Sequence, residues 1–426
     1  MPASPSTARA INDRLALRLL QQEGPLTAGQ LKQLTGLSRP TVADLVERLT
    51  AAGLIAVVGE AGEQRRGPNA RVYGIVADRA HLAALDVRTE GVAVTVADLL
   101  GRVLAEASVP IGGDTGTGPA VEQAVSLVER VVKEAGADRL HTVGIGAPGL
   151  IDPSGGELRN STGLPAWHRR LAAALKERLP ETRVSVENET NLAALAEQRD
   201  GAARDRDTFV LLWLGHGTGA AVVLDGALRR GASGGTGEIG FLPVPGTSAL
   251  PSSTDCEGGF HSLVASAAVL RLAAEHGVRP EPGREEPVVG AVRAAADLVR
   301  AAVERVRGDH PGAGCAVAPA KSGPDPSARF LDALAGRVAV GAASVVAILD
   351  PGCVVLGGEI GQAGGEVLAA RVQDRLARMT PLPTEVRPTT LGGGAVLRGA
   401  LLTARDRAQE ELFAPGGRPS RPAADR

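Results

Sequence analysis

The sequence predicts an α/β protein with a winged helix-turn-helix head over residues 1–76 and a much larger body. Three observations carry this. Within the first fifty residues, apolar side chains recur at helical spacing in three short runs parted by a Gly-Pro break and a single glycine. Two strand-like runs then bracket a polar, arginine-bearing loop. Beyond residue 80, strand-length apolar runs such as Leu82–Val87, Thr142–Gly146, Phe209–Leu214 and Cys353–Leu356 alternate with longer helical patterns.

In the head, Ile11, Leu15, Leu19 and Leu20 mark a first helix that ends at Gly24-Pro25. Thr27 with Gln30 forms a capping box, so a second helix starts at Ala28 and buries Leu31 and Leu34. Gly36 supplies the turn. Ser38 caps a third helix, with Pro40 in the first turn, where a missing amide proton breaks no hydrogen bond. Val42, Leu45, Val46 and Leu49 line its inner face, and Arg39, Thr41, Asp44 and Arg48 lie off that stripe. Leu54–Val58 and Arg71–Val76 read as a two-stranded wing. Its loop carries Gln64, Arg65, Arg66 and Asn69, which with Arg71 suit phosphate or minor-groove contact. Such a third helix enters the DNA major groove, and two copies on a dimer read half-sites about 34 Å apart. The competing reading is a three-helix protein-interaction domain with an ordinary charged loop.

Charge agrees with the first reading. The chain's net charge of −2 gives no sign of a nucleic-acid partner, but residues 1–75 hold nine Lys/Arg against six Asp/Glu. The remainder holds 37 of the 46 basic and 42 of the 48 acidic residues, so a positive head precedes an acidic body. A chain of 426 residues, 44% hydrophobic, buries enough for two or three domains, and with 2% aromatics its cores rest on Leu, Val and Ala. No run of about 18 uncharged apolar residues appears, so no membrane span is expected. The opening MPASPSTARAINDR lacks an apolar signal core, which predicts a cytoplasmic protein. Cys256, Cys315 and Cys353 are too widely spaced for a disulfide framework.

In the body, Leu82–Val87 and Val92–Ala97 read as strands with Asp98–Gly101 as the turn, Ala120–Glu134 as a helix, and Val184–Val186 as a strand leading to a helix through Glu197. The stretch Gly215–Phe241 then holds a small-residue turn, Gly217-Thr218-Gly219, and a hairpin turn, Asp225-Gly226. Backbone amides on the first turn can approach a phosphate because no Cβ intervenes; it reads equally as an ordinary hairpin. Glu238 sits between glycines, where its carboxylate can accept from ligand hydroxyls. Ser262–His276, Glu286–Val306, Phe330–Leu349 and Val396–Leu412 follow as helices, with a Pro/Gly/Ala-rich loop over Asp309–Asp325.

Gly-Thr-Gly, Asp-Gly, Arg-Gly-Ala and Gly-Glu-Ile-Gly, in that order, resemble the ROK family of sugar kinases and sugar-responsive repressors, a likeness running from about residue 9 to about residue 412. The resemblance implies a two-lobed actin-like ATPase (ribonuclease H-like) body with sugar in the cleft. Residues 77–186 would form lobe 1, closed by a C-terminal helix over 396–412; residues 187–395 would form lobe 2; and 413–426 would be a disordered tail. It further implies a sugar-side loop at Ala147-Pro148-Gly149, a nucleotide-side loop at Gly357-Gly358, and a covering segment with Asn160 and Trp167, the last reading equally as a plain surface loop.

The departures point away from catalysis. The family's Asp-x-Gly-x-Thr phosphate loop matches Asp86-Val87-Arg88-Thr89-Glu90, with Arg88 for glycine and Glu90 for threonine. A carboxylate there repels phosphate. The general base of Glu-Asn-Asp-x-Asn falls at Glu189, one methylene longer, beside a retained Asn188. At the family's zinc positions stand Phe241, Ser253, Asp255 and Phe260, so no metal is expected, although Cys256 and His261 lie nearby. Ser262 replaces a sugar-contacting glutamate, and His261 could substitute after a one-residue shift.

The resemblance therefore implies a transcriptional regulator, a repressor rather than an enzyme, without cofactor. Its partners would be operator DNA, a sugar-like effector and a second or third and fourth copy of itself. Ser38, Arg39, Thr41, Asp44, Arg48, Gln64, Arg65, Arg66, Asn69 and Arg71 would meet DNA. Ala147, Pro148, Asn188, Glu189, Glu238 and His261 would meet the effector, and Gly217, Thr218 and Gly219 would be a vestigial phosphate loop. An active ATP-dependent sugar kinase fused to a DNA-binding head, and an orphan regulator with no sugar ligand, are the alternatives.

Overall fold

The computed structural model describes residues 5–61, 70–152, 156–159, 164–279, 290–308 and 325–414. The head consists of α1 (Pro5–Gln22), β1 (Leu26–Thr27), α2 (Ala28–Thr35), α3 (Arg39–Ala51), β2 (Ile55–Ala61) and β3 (Ala70–Ile75). Its helix boundaries follow the local chemistry. Thr27 Oγ1 accepts from Gln30 N at 3.2 Å while Thr27 N donates to Gln30 Oε1 at 2.9 Å, closing the capping box. Gly36 ends α2 at φ +70°, a left-handed conformation that glycine adopts without strain. Ser38 Oγ accepts from Thr41 N at 3.3 Å to start α3. Val42, Leu45, Val46 and Leu49 are all buried.

Two apolar expectations in the head need correction. Ile11 and Leu15 are 56% and 38% exposed, and the inner face of α1 is Ala16, Leu17 and Leu20, one residue around the helix. Leu34 is half exposed because α2 ends one turn too early to bury a second leucine. The wing also has a third strand: β3 pairs with β2 and with the two-residue β1, which is too short to read from sequence.

The first body sheet is built from β4 (His81–Arg88), β5 (Gly91–Asp98), β6 (Val103–Pro110), β7 (Thr142–Ala147) and β8 (Arg183–Asn188), in the order β6-β5-β4-β7-β8. β4, β7 and β8 are parallel. The helices α4 (Thr117–Glu134) and α5 (Ala166–Arg178) cover one face. α6 (Glu189–Asp200) leaves the last strand directly and leads to the second sheet.

That sheet holds β9 (Phe209–Leu214), β10 (Thr218–Leu224), β11 (Ala227–Arg229), β12 (Cys353–Gly357) and β13 (Glu385–Pro388), in the order β11-β10-β9-β12-β13. The β10–β11 turn has Asp225 at φ 54° and Gly226 at φ 73°, the two left-handed residues of a type I′ hairpin. The helices α7 (His261–Val264), α8 (Ser266–Glu275), α9 (Ala291–Gly308), α10 (Pro326–Leu349) and α11 (Gly358–Leu376) pack on it. One continuous helix over Ser262–His276 is not formed: Ala265 is extended and parts α7 from α8. α10 is long and apolar enough to cross a membrane, but Phe330, Leu331, Leu334, Ala335, Val338, Ala342 and Val346 bury its face in the lobe 2 core. Residues 286–289, Cys315, 309–324 and the tail from 415 lie outside the described residues.

Last comes α12 (Ala395–Leu412), which returns to lobe 1 and packs on α6, β4 and β7. The approach is backbone to backbone. A Cβ on Gly144 would fall 2.6 Å from Ala400 O, and one on Gly399 would collide with Leu192 O. The far end of α12 meets the head, where Arg14 Nε donates to Phe413 O at 3.3 Å. Phe413 is 8% exposed and shares one apolar cluster with Leu17, Leu20, Leu54, Ile55 and Leu99, so head and body have a joined core.

Candidate functional site

The cleft between the lobes is lined by strand ends and helix starts. Asp86 and Arg88 close β4, Ala147 closes β7, and Asn188 closes β8 and caps α6 by accepting from Thr190 N at 2.8 Å and Asn191 N at 3.3 Å. Asn188 Nδ2 donates to Gly149 O at 3.0 Å. Asn188, an expected effector contact, thus also caps α6. Glu189 begins α6, and Thr190 Oγ1 lies 3.5 Å from where a Cβ on Gly219 would stand, bringing lobe 2 to the same place.

The Asp86–Glu90 segment, where the family resemblance puts a phosphate loop, reaches across the cleft. Arg88 Nε donates to Asp86 Oδ2 at 2.8 Å, Nη1 pairs with Glu359 Oε1 at 3.2 Å, and Nη2 donates to Gly393 O at 3.1 Å. The other oxygen of Glu359 covers Gly215: a Cβ there would be 2.6 Å from Oε2. The Glu90 carboxylate crowds Gly290, at the start of α9. Both residues that break the phosphate-loop pattern thus reach across to lobe 2. The small-residue turn itself lies two residues earlier than expected. Gly215 N donates to Gly217 O at 3.0 Å, and Thr218 and Gly219 already belong to β10, because the apolar run from Ala220 extends backward to pair with β9.

The charges in this cleft are strongly coupled. Glu189 is pushed up to about 8 by burial first, then by Asp86 and Glu359, with Arg88 pulling the other way. Burial raises Asp86 too, against Arg88. For Arg88, burial works against the charge, but Asp86 and Glu359 outweigh it and its pKa rises. His168, donating Nε2–H to Arg88 O at 3.2 Å, is held neutral by burial at about 4. Three buried polar atoms here have no partner among the described residues: Asp86 Oδ1, His168 Nδ1 and Thr218 Oγ1.

Other expected residues scatter. Glu238 stands on the lobe 2 rim, its carboxyl raised by the protein crowding it; a side chain on Gly237 would strike Ala220 O, so this turn requires glycine. His261 opens α7 beside Gly240 and is lowered by burial. Ala147 is buried and Pro148 half-buried. Trp167 lies in α5, 3% exposed in the lobe 1 core and edge-on to His168. Asn160 lies outside the described residues.

Phe260, at a family zinc position, fills the lobe 2 core. The segment before it is held by its own turns, with Asp255 N donating to Ser252 Oγ at 3.0 Å and Gly258 N to Ser262 Oγ at 2.8 Å. Among the described residues, no three His, Cys, Asp or Glu side chains are placed to hold a metal ion. Sequence reasoning assigned no role to Glu359, which follows Gly357-Gly358, or to Arg230, the arginine of Arg-Gly-Ala, whose Nε donates to Glu187 Oε2 at 2.7 Å; both reach the cleft from distant segments.

In the head, Ser38 and Arg39 are exposed at the start of α3, with Thr41 half-buried beside them. Arg71 is exposed on the wing strand. Arg48 does not face outward freely. It pairs with Asp44 within α3 and with Asp13 of α1, the latter at 2.6 Å, so Arg48 joins α3 to α1. Gln64, Arg65, Arg66 and Asn69 lie outside the described residues.

A ROK family model matches residues 82–407 and a MarR family model residues 11–67. The chain is 28% identical over 244 residues to the DNA-binding transcriptional dual regulator NagC of Escherichia coli, covering 55% of this chain and 58% of that one. It is 22% identical over 355 residues to a putative xylose repressor of a Caldicellulosiruptor species, covering 82% and 83%. A solved ROK family transcriptional regulator, a homologue of the E. coli MLC protein, superposes with TM-score 0.71 over 95% of this chain and 98% of its own at 20% identity. The ROK hexokinase of Thermus thermophilus gives TM-score 0.58 over 78% and 99% at 28% identity. The alignment thus spans under two thirds of NagC, the body has the sugar-kinase fold, and the chain belongs to the ROK family.

Proposed function

We propose that this protein is a DNA-binding transcriptional regulator, a repressor of carbohydrate-related genes, whose body senses a sugar-like effector and does not transfer phosphate. One observation carries the reading: the Arg88–Glu359 pair spans the cleft where the family resemblance puts the nucleotide phosphates, with a Glu359 oxygen over Gly215. Phosphoryl transfer depends on positioning and on stabilising developing negative charge. A carboxylate seated on the phosphate turn opposes both.

The same pair suggests the signal route. Gly393, which accepts from Arg88, lies just before α12, and the other end of α12 meets α1 through Phe413 and Arg14. Eighteen helical residues span about 27 Å, a stiff rod from cleft to head. A ligand that favours one lobe angle would shift the rod, and in a homodimer or tetramer would alter the fit of the two heads to their half-sites. Arg39, Ser38, Thr41 and Arg71 are the described residues best placed to meet DNA; Glu189, Glu238 and His261 to meet the effector.

The test is operator binding by fluorescence anisotropy across a sugar panel, beside an ATP-turnover assay with the same sugars. Sugar-dependent loss of operator binding is expected. Turnover near one per second, the low end for kinases, would instead make the chain a kinase with a DNA-binding head.

A further inference from the structure

The sensing cleft is richer in negative than positive charge. Asp86 and Glu359 both pair with one guanidinium, Arg88, and Glu189 lies within the same field. On the adjoining wall Glu187 takes up Arg230. Neither arginine is spare: Arg88 is committed to Asp86, Glu359 and Gly393 O. His168 beneath it carries no charge at neutral pH. Meanwhile Asp86, 2% exposed, has one carboxylate oxygen with no hydrogen-bond partner among the described residues, and Thr218 Oγ1 is likewise unpartnered. A buried carboxylate oxygen without a donor is costly, and its complement is a group with protons to give.

Resting on the sugar-sensing reading above, we propose that the cleft takes a sugar bearing a free amino group, directed at Asp86 and Glu189, and discriminates against the phosphorylated counterpart. An ammonium offers three donors and no acceptor, and its charge offsets the carboxylates. A phosphate offers acceptors only and meets three carboxyl groups at once. To use Arg88 it must first break the Asp86 and Glu359 pairs, leaving both carboxylates unpaired beside it.

The arrangement adds a signature independent of affinity. Glu189 keeps its proton to about pH 8, under burial and the fields of Asp86 and Glu359, with Arg88 opposing them. An ammonium arriving beside it makes the carboxylate the favoured form, and the proton leaves to solvent. A neutral sugar releases none.

The experiment is calorimetry on the full chain at about pH 6.5 in two buffers of different ionisation enthalpy. The ligands are glucose, glucosamine, N-acetylglucosamine and glucosamine 6-phosphate, with the galacto and manno forms of each. We expect the free amine to bind at least tenfold tighter than its hydroxyl and 6-phosphate counterparts, a margin of about 1.4 kcal/mol, with proton release that is absent in Glu189→Gln. A 6-phosphate or N-acetyl form binding tightest, or amine binding without proton release in the unaltered protein, overturns the proposal while leaving sugar sensing intact. No response to any sugar overturns both.

Discussion

Arg88 on β4 pairs with Glu359 at the start of α11, Nη1 to Oε1 at 3.2 Å, joining the two lobes across their cleft. The same guanidinium neutralises Asp86, which is almost wholly buried. Arg88 is therefore both a bridge between lobes and, among the described residues, the one ionic partner of an almost wholly buried carboxylate.

Substituting Arg88 by Ala should accordingly destabilise the body by about 1–3 kcal/mol, because a buried acceptor loses its partner. Asp86→Asn in the same chain should return much of that loss, since the amide carries no charge to strand. Urea denaturation of the two single variants and the double variant measures the coupling. Additive effects would show that Arg88 acts on the fold through something other than Asp86.

How much of this was legible in the sequence differs by level. The caps at Thr27 and Ser38, the turn at Gly36 and the Asp225-Gly226 hairpin rest on interactions within four residues, so sequence reads them directly. The departures at Arg88, Glu90 and Glu189 are visible as broken motifs. What they do is not visible, because Glu359 and Gly393 lie 271 and 305 residues away from Arg88 and reach it only through the closing of two lobes. Apolar spacing misled at Ile11 and Leu15, since a pattern shows that a stripe exists but not whether a neighbour packs on it. The use of Asn188 as a helix cap was hidden for a similar reason: the family motif suggests a ligand contact, and local backbone chemistry takes the oxygen first.

Glu189 should leave a mark on pH dependence. Its folded pKa is raised to about 8, so the folded protein holds a proton that the unfolded chain gives up near its ordinary value of 4.5. The resulting stability is complete below about pH 4.5, declines through the interval, and is gone above about 8. The Gln variant cannot ionise and should lack this slope. Thermal unfolding of both proteins from about pH 5 to about pH 9 should show the unaltered chain losing ground steadily, by about 1 °C for each kcal/mol at this chain length. Parallel curves would place the titration elsewhere.

In the head, three neighbouring side chains should separate by role. Arg39→Ala should weaken operator binding and lower the salt slope by about 1, without changing head stability, because Arg39 is exposed at the start of α3. Ser38→Ala should cost about 0.5–2 kcal/mol of stability through the lost cap. Arg48→Ala should also lower stability, since it ties α3 to Asp13 of α1, and should change the salt slope little. Anisotropy titrations at several salt concentrations, paired with thermal melts, distinguish the three. An Arg48 variant that melts normally yet loses a full unit of slope would make Arg48 a phosphate contact instead.

The joint between body and head can be tested at Phe413. Its ring lies in the cluster shared by the two, and its carbonyl accepts from Arg14 of α1. Allosteric coupling of 1–3 kcal/mol corresponds to a change of about 5–150-fold in operator affinity on effector binding. Phe413→Ala should leave effector affinity in the absence of DNA unchanged, because the cleft lies at the opposite end of α12, while shrinking the effector's influence on operator binding to less than about threefold. Reciprocity makes a second measurement obligatory: operator DNA must lose its influence on effector affinity by the same factor. If both couplings survive intact, the signal does not pass through the end of α12, and the shared core at Leu54, Ile55 and Leu99 becomes the path to dissect.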